Sequence, residues 1–235
     1  MVILKFALLR FFRNPATMFA SLILPTFLMF VSVLWEPVDY TTGFMPVANR
    51  GYYLIAMVML FCSFPLTSGM TKERKDKTIV RIMSTPTTNF SYLAQNLVAC
   101  MVPLLLQIVA VISIGLIRYD WSVSFAFWLG LLYILFAATS IGFCFAWNCL
   151  FKNADASYTV LSIFLTFASF ILLMPLSIFP DLIRTIFMLF PTYWIATGIE
   201  GLISYGVNFE LNIATAVLAL FVIIFLSYGS NRGVY

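Results

Sequence analysis

The chain alternates between long apolar stretches and short polar connections. Six stretches run for 18 or more residues without Asp, Glu, Lys, Arg or His. A helix needs about 20 predominantly apolar residues to cross a hydrocarbon core of roughly 30 Å. The pattern therefore predicts six transmembrane helices, at about residues 17–35, 51–70, 91–117, 121–151, 156–179 and 211–229.

The composition supports this interpretation. Hydrophobic residues make up 63% of the chain and charged residues 9%, and the mean hydropathy is +1.02. These values lie far outside the range of soluble domains. No internal repeat or low-complexity linker divides the sequence. We therefore expect an all-α polytopic membrane protein with a single transmembrane domain over residues 1–235.

The basic residues lie on alternate connections. Ten of the thirteen Lys and Arg residues fall in the N-terminal segment, the second and fourth connections and the C-terminal tail. Because Lys and Arg concentrate on the cytoplasmic side of membrane proteins, both termini are predicted to be cytoplasmic, in the cell membrane. The net charge of +4 then reflects membrane topology, and no nucleic-acid partner is expected.

The segment before the first apolar stretch, residues 1–16, carries most of its apolar side chains on one broad face. Asn14–Pro15 would end a helix there. The segment is predicted to be an interfacial helix, with a simple basic anchor for the first span as the equal alternative. The stretch at 17–35 is too long for a signal peptide, and no small-residue cleavage pattern follows it.

The residue types disfavour catalysis in this chain. Histidine is absent, and the four cysteines lie inside apolar stretches without CxxC spacing, so neither a metal site nor a catalytic nucleophile with its base is expected. The bodies of the spans carry no ionisable residue of the kind that secondary transporters use, and no Walker motif occurs. A transporter without either device needs a separate ATPase, docked on its cytoplasmic surface.

The second connection, residues 71–90, is the most substantial cytoplasmic connection. Glu73, Lys77 and Arg81 recur every four residues, so a helix here would carry them as one charged ridge. Ile79 and Met83 would form an apolar patch beside the ridge. Such a short amphipathic helix suits either a docking partner or anionic lipid headgroups.

The run Glu73-Arg74-Lys75-Asp76-Lys77-Thr78-Ile79, followed by Ser84-Thr85-Pro86, resembles the E-R-E-x-G-T-L…T-P signature of the ABC-2 family of exporter permeases. In that family the segment forms a coupling helix that sits in a groove of the ATPase subunit. The resemblance implies that the ATPase-coupling residues are Glu73, Arg74, Lys75, Lys77, Thr78, Ile79, Arg81, Met83, Thr85 and Pro86. Lys77 stands where the family has a glycine. A glycine at this position allows a tight break between the span and the coupling helix.

A second region, residues 174–202, is similar to the outer end of the family's fifth span. There, two short helices dip back into the outer leaflet. The residues themselves agree, because the apolar clusters within 180–209 are too short to cross a membrane and are interrupted by Pro191, Gly198 and Gly206. The segment is predicted to be re-entrant, with an exposed loop anchored by interfacial aromatics as the alternative.

The fifth span carries a stripe of hydroxyl side chains. Packing is the default interpretation, because such hydroxyls can bond to their own helix. The resemblance implies instead that the first and fifth spans line the dimer interface and the exit path. On that basis the candidate substrate-pathway residues are Ser162, Thr166, Ser169, Pro191, Tyr193, Trp194 and Glu200.

The resemblance implies that this chain is the permease subunit of an exporter. Two permease copies, as a homodimer or a heterodimer, would each dock one ABC ATPase subunit that binds ATP and Mg, with no cofactor in this chain. The absence of charge in the spans favours a hydrophobic or amphiphilic cargo, such as a drug, an antimicrobial peptide or a lipid-like compound. The alternatives are a nucleotide-independent secondary transporter or channel and a membrane immunity or scaffold protein.

Overall fold

The computed structural model describes residues 47–78, 88–118, 120–150, 154–173 and 180–232, together with Phe6, Leu8, Leu9, Phe12, Arg13 and Phe19. Within these ranges the chain is all-helical. The helices are α1 (Val47–Lys75), α2 (Asn89–Arg118), α3 (Val123–Leu150), α4 (Ala154–Leu173), α5 (Asp181–Phe187), α6 (Pro191–Tyr205) and α7 (Phe209–Arg232). Apart from those single residues, the predicted interfacial helix and first span lie outside the described residues.

Four of the described helices are long and apolar enough to cross a membrane. Their apolar windows are Gly51–Glu73, Asn89–Ile117, Val123–Leu150 and Phe209–Asn231. They coincide, within a few residues at each end, with the second, third, fourth and sixth predicted spans. Helix α4 covers most of the fifth, but its described apolar part, Thr159–Ser169, is shorter than a membrane crossing. The six-span layout as a whole therefore stays a prediction.

Helix α3 forms the centre of the bundle. Helices α1, α2, α4, α6 and α7 all pack against it. Its large side chains Leu132, Tyr133 and Phe136 are fully buried. A helix that is apolar on every side belongs in the interior of a bundle, and α3 has that character. Gly142 faces α7, and an added Cβ there would make an ordinary van der Waals contact, 3.5 Å from Cβ of Phe225.

Successive long helices run in opposite directions, so the bundle has two ends. The basic end carries residues 71–78, the start of α2, the close of α3, the start of α4 and the close of α7. There the side-chain amide of Asn89 donates to the backbone oxygen of Ser230 at 3.3 Å. At the opposite end, the rings of Tyr52 and Trp121 lie 5.5 Å apart.

Helices α5 and α6 form a bent pair with an angle of 107° between them. Phe190, at the break, packs against Phe164 in the middle of α4, with ring centroids 5.6 Å apart. From there α6 packs against α3 and α7, and Gly198 permits a close approach to Leu132 and Ala214. The same bend is compatible with one broken span, so the re-entrant arrangement of 180–209 stays a prediction.

Candidate functional site at the basic end of the bundle

Helix α1 extends into the charged segment that the sequence assigned to a connection. The helical hydrogen bonding persists as far as Asp76, whose N–H donates to the backbone oxygen of Lys72 at 2.9 Å. Lys77 then has a φ of +52°. This left-handed conformation is natural for glycine and costs other residues about 1–2 kcal/mol. The chain thus leaves α1 at Lys77, which is the position where the ABC-2 signature has its glycine.

Glu73 lies near the end of α1 and is held by the bundle. Its carboxylate accepts a hydrogen bond from the hydroxyl of Tyr92, which is 1% exposed in the first turn of α2. The side-chain amide of Asn96 in turn donates to the backbone oxygen of Tyr92 at 3.0 Å. The Glu73–Tyr92 bond therefore joins the two ends of the connection between α1 and α2.

A buried polar cluster links three helices at the basic end. Oδ1 of Asn148, on α3, accepts a hydrogen bond from Oγ1 of Thr71, on α1, at 3.3 Å and another from Oγ of Ser157, on α4, at 3.4 Å. Nε1 of Trp147 donates to the backbone oxygen of Ser157 at 3.2 Å. The three polar side chains are all buried. Because burying an unpaired polar group is costly, these bonds fix the positions of the helix ends.

The remaining predicted coupling residues have different placements. Lys77 and Thr78 are exposed at the basic end, beside exposed Lys72 and Asp76. Arg74 and Lys75 belong to the last turn of α1. The residues that lie outside the described parts of the chain are Ile79, Arg81, Met83, Thr85 and Pro86.

The hydroxyl stripe of α4 bonds to its own helix. The backbone oxygen of Thr159 accepts from Ser162 at 2.8 Å, that of Ser162 accepts from Thr166 at 2.9 Å, and that of Thr166 accepts from Ser169 at 2.6 Å. This bonding is what the packing interpretation requires. It leaves the predicted pathway role of these residues as a prediction.

The other candidate pathway residues lie on the bent pair. Tyr193 is buried, and its hydroxyl accepts a hydrogen bond from Nε of Arg184 at 3.3 Å. Nε1 of Trp194 donates to the backbone oxygen of Met188 at 2.8 Å, which ties α6 to the break. Pro191 is the first residue of α6, and Glu200 is exposed near its end. The Phe164–Phe190 contact connects this group to the hydroxyl stripe.

Three residues of the basic end, Thr71, Tyr92 and Asn148, do not follow from the sequence motifs. Each is a residue with a hydrogen-bonding side chain close to the end of an apolar helix. This position at a helix end is the feature by which the sequence could have indicated these three residues. It did not reveal their partners, because the bonds connect residues that are 19 and 77 positions apart in the chain.

A family model described as an ABC-2 family transporter protein matches residues 36–229. No curated protein matches the chain significantly. The matched region includes helices α1 to α6 and nearly all of α7. It also contains residues 73–86, which resemble the ABC-2 signature, and the bent pair. Members of this family typically work with an ABC ATPase. The chain is an integral membrane protein that belongs to the ABC-2 family of transporter permeases.

Proposed function

We propose that this chain is the permease subunit of an ATP-driven exporter, and that the connection after Lys77 is where its ATPase docks. The observation that carries the proposal is the Glu73–Tyr92 hydrogen bond. It closes the connection into a loop whose two ends are tied together. A force applied to the loop therefore reaches α1 and α2 together.

In this proposal Glu73 acts from within the bundle. Its carboxylate faces Tyr92, and a hydrogen bond to a charged group contributes about 1.5–3 kcal/mol. Ile79 and Met83 fill an apolar groove of the ATPase, while Lys77 and Arg81 make the charged contacts. Glu73 keeps the loop in the shape that the ATPase recognises.

The assembly that we propose contains two permease copies and two ATPase subunits, which bind ATP and Mg. A two-fold arrangement is the commonest among oligomers. The basic end faces the cytoplasm, in keeping with the positive-inside rule. Closure of the ATPase pair on ATP moves the two loops, and the spans rock to open a path outward. Binding energy at the ATPase drives this change only through a difference in affinity for the two states.

The cargo that we propose is hydrophobic or amphiphilic. On α4 the exposed side chains include Ile163 and Phe167, with the hydroxyl of Thr166 between them. Such a mixed face suits a molecule with an apolar body and a few polar groups. The bodies of the described spans offer no charged side chain for an inorganic ion.

The first test is a purification of the chain from its native membrane in a mild detergent, with mass spectrometry of the bound proteins. We expect an ABC-type ATPase at a ratio near one to one. Reversing the charges of Glu73 and Arg81 together should abolish both its binding and ATP-dependent export. The matched control is Arg184→Glu, an exposed charge reversal at the opposite end, which should leave the ATPase bound.

Recovery of the chain without any ATPase would contradict the proposal. In that case gradient-driven flux without nucleotide would identify a secondary transporter or channel. Protection against a peptide toxin without movement of the toxin would identify an immunity protein.

A further inference from the structure

We infer that Asn148 is a positioning residue that transmits movement of α1 to α4. The inference rests on the proposed function, because it concerns how a force from the ATPase spreads through the permease. Asn148 lies near the end of α3, at the level where α1 ends and α4 begins. It makes no contact with ATP or cargo in this scheme.

The hydroxyls that donate to Asn148 differ from several other hydroxyls in the bundle. Thr67 and Ser68, one turn earlier on α1, donate to backbone oxygens of their own helix. Buried Ser140 on α3 does the same. Thr71 instead donates across to α3, although a bond within its own helix was available to a hydroxyl at that position. The hydroxyls of Thr71 and Ser157 therefore connect helices at the basic end, whereas those of Ser68 and Ser140 bond to their own helix.

One acceptor atom serves both neighbours. Oδ1 of Asn148 receives the hydroxyl of Thr71 at 3.3 Å and that of Ser157 at 3.4 Å. A displacement of α1 along its axis cannot keep the first bond unless α3 follows, and α4 must then follow to keep the second bond. Since hydrogen bonds weaken steeply with distance and angle, the pair of bonds fixes the register of the three helices. Apolar packing between α1 and α4 is not directional and permits sliding.

The aromatic contacts of α4 provide a fixed point for its movement. Phe164, in the middle of α4, lies 5.1 Å from the ring of Phe143 and 5.4 Å from that of Trp147, both on α3. Ser157 lies two turns nearer the basic end. A pull on Ser157 therefore tilts α4 about Phe164. The tilt also displaces the part of α4 beyond Phe164, which carries Thr166 and Phe167.

The test measures hydrogen–deuterium exchange in the purified complex of permease and ATPase, without nucleotide and with ATP trapped by vanadate. In the unaltered chain we expect ATP-dependent changes in peptides that cover residues 71–78 and residues 154–162. The variant Asn148→Leu has a side chain of similar size without an acceptor. It should keep the change at 71–78 and lose the change at 154–162, together with export.

Three further variants separate transmission from stability. Asn148→Asp retains the acceptor oxygen and should restore the change at 154–162. Thr71→Val removes one of the two bonds with little change in shape, and it should reproduce Asn148→Leu if the leucine variant fails to assemble. Ser140→Ala removes a buried hydroxyl that bonds only its own helix, and it should behave as the unaltered chain.

An ATP-dependent change at 154–162 that persists in both Asn148→Leu and Thr71→Val would overturn the inference while leaving the proposed function intact. Failure of the proposed function has a different signature. The unaltered chain would then show no ATP-dependent change at 71–78, or no ATPase would bind it, and the inference would fall with it.

Discussion

Lys77, the residue at which the chain leaves α1, has a backbone conformation that is unfavourable for any residue with a Cβ atom. Replacing it with glycine should raise the free energy of unfolding by about 1 kcal/mol, because glycine adopts a φ of +52° without a steric penalty. The measurement is the thermal unfolding midpoint of the purified chain in detergent. The matched control is Lys72→Gly, an exposed position inside α1, which should lower the free energy of unfolding by about 1 kcal/mol. Equal shifts in the same direction would contradict the assignment.

The lysine also bears on the coupling mechanism. Lys77 holds the backbone at the end of α1 in an unfavourable conformation, which stores a small amount of free energy. Docking or release of the ATPase can change the backbone conformation there. Lys77→Gly also removes one of the two charged contacts proposed for the ATPase, so it should weaken ATPase binding without abolishing it.

Tyr92 contributes one hydroxyl to the basic end, and that hydroxyl can be removed alone. Tyr92→Phe should cost about 1.5–3 kcal/mol, because the Glu73 carboxylate loses a buried donor. We expect faster hydrogen exchange across the connection between α1 and α2, and weaker ATPase binding. Tyr205→Phe, at a side chain that is 76% exposed near the opposite end, serves as the control and should change neither. Unaltered exchange in Tyr92→Phe would show that the hydroxyl does not hold the loop.

At the scale of elements, the bent pair α5–α6 offers the clearest test of topology. In a re-entrant pair, Leu182 and Tyr205 face the same side of the membrane, whereas in a broken span they face opposite sides. Both side chains are more than two-thirds exposed. Single-cysteine variants at these positions, in a chain without its four native cysteines, should both react with a membrane-impermeant thiol reagent applied from outside.

Reaction of Leu182→Cys and Tyr205→Cys from opposite sides would establish a broken span. The control is Lys72→Cys at the basic end, which should react only after the membrane is opened. The physical reason to expect a re-entrant pair is the depth of the break, since Phe190 reaches the middle of α4.

The apolar runs predicted α1, α2, α3 and α7 closely, because each run is long and uninterrupted and the membrane sets its length. The end of α1 was harder to predict. Charge suggested that the helix stops near residue 71, but Glu73 is held by Tyr92 and the helix continues to Lys75. The role of Asn148 was not predictable from spacing, because it depends on which helix ends become neighbours.

In the whole molecule, the described helices form a bundle around α3 that has two ends. The basic end contains hydrogen bonds between helices, involving Thr71, Asn148 and Ser157. The opposite end contains aromatic contacts, such as that between Tyr52 and Trp121. In the proposed assembly the hydrogen bonds among Thr71, Asn148 and Ser157 lie close to the ATPase.

The central position of α3 also has a consequence for biosynthesis. Its widest contact is with α7, which follows the other described helices in the chain. There Thr139 donates to the backbone oxygen of Leu218 at 3.2 Å, and Gly142 faces Phe225. Until residues 209–232 are inserted, that side of α3 faces lipid or the insertion machinery. The surface of α3 that faces α7 is therefore covered only after the other described helices have been made, and a chain stalled or cleaved before α7 presents an unfinished interior to the quality-control proteases of the membrane.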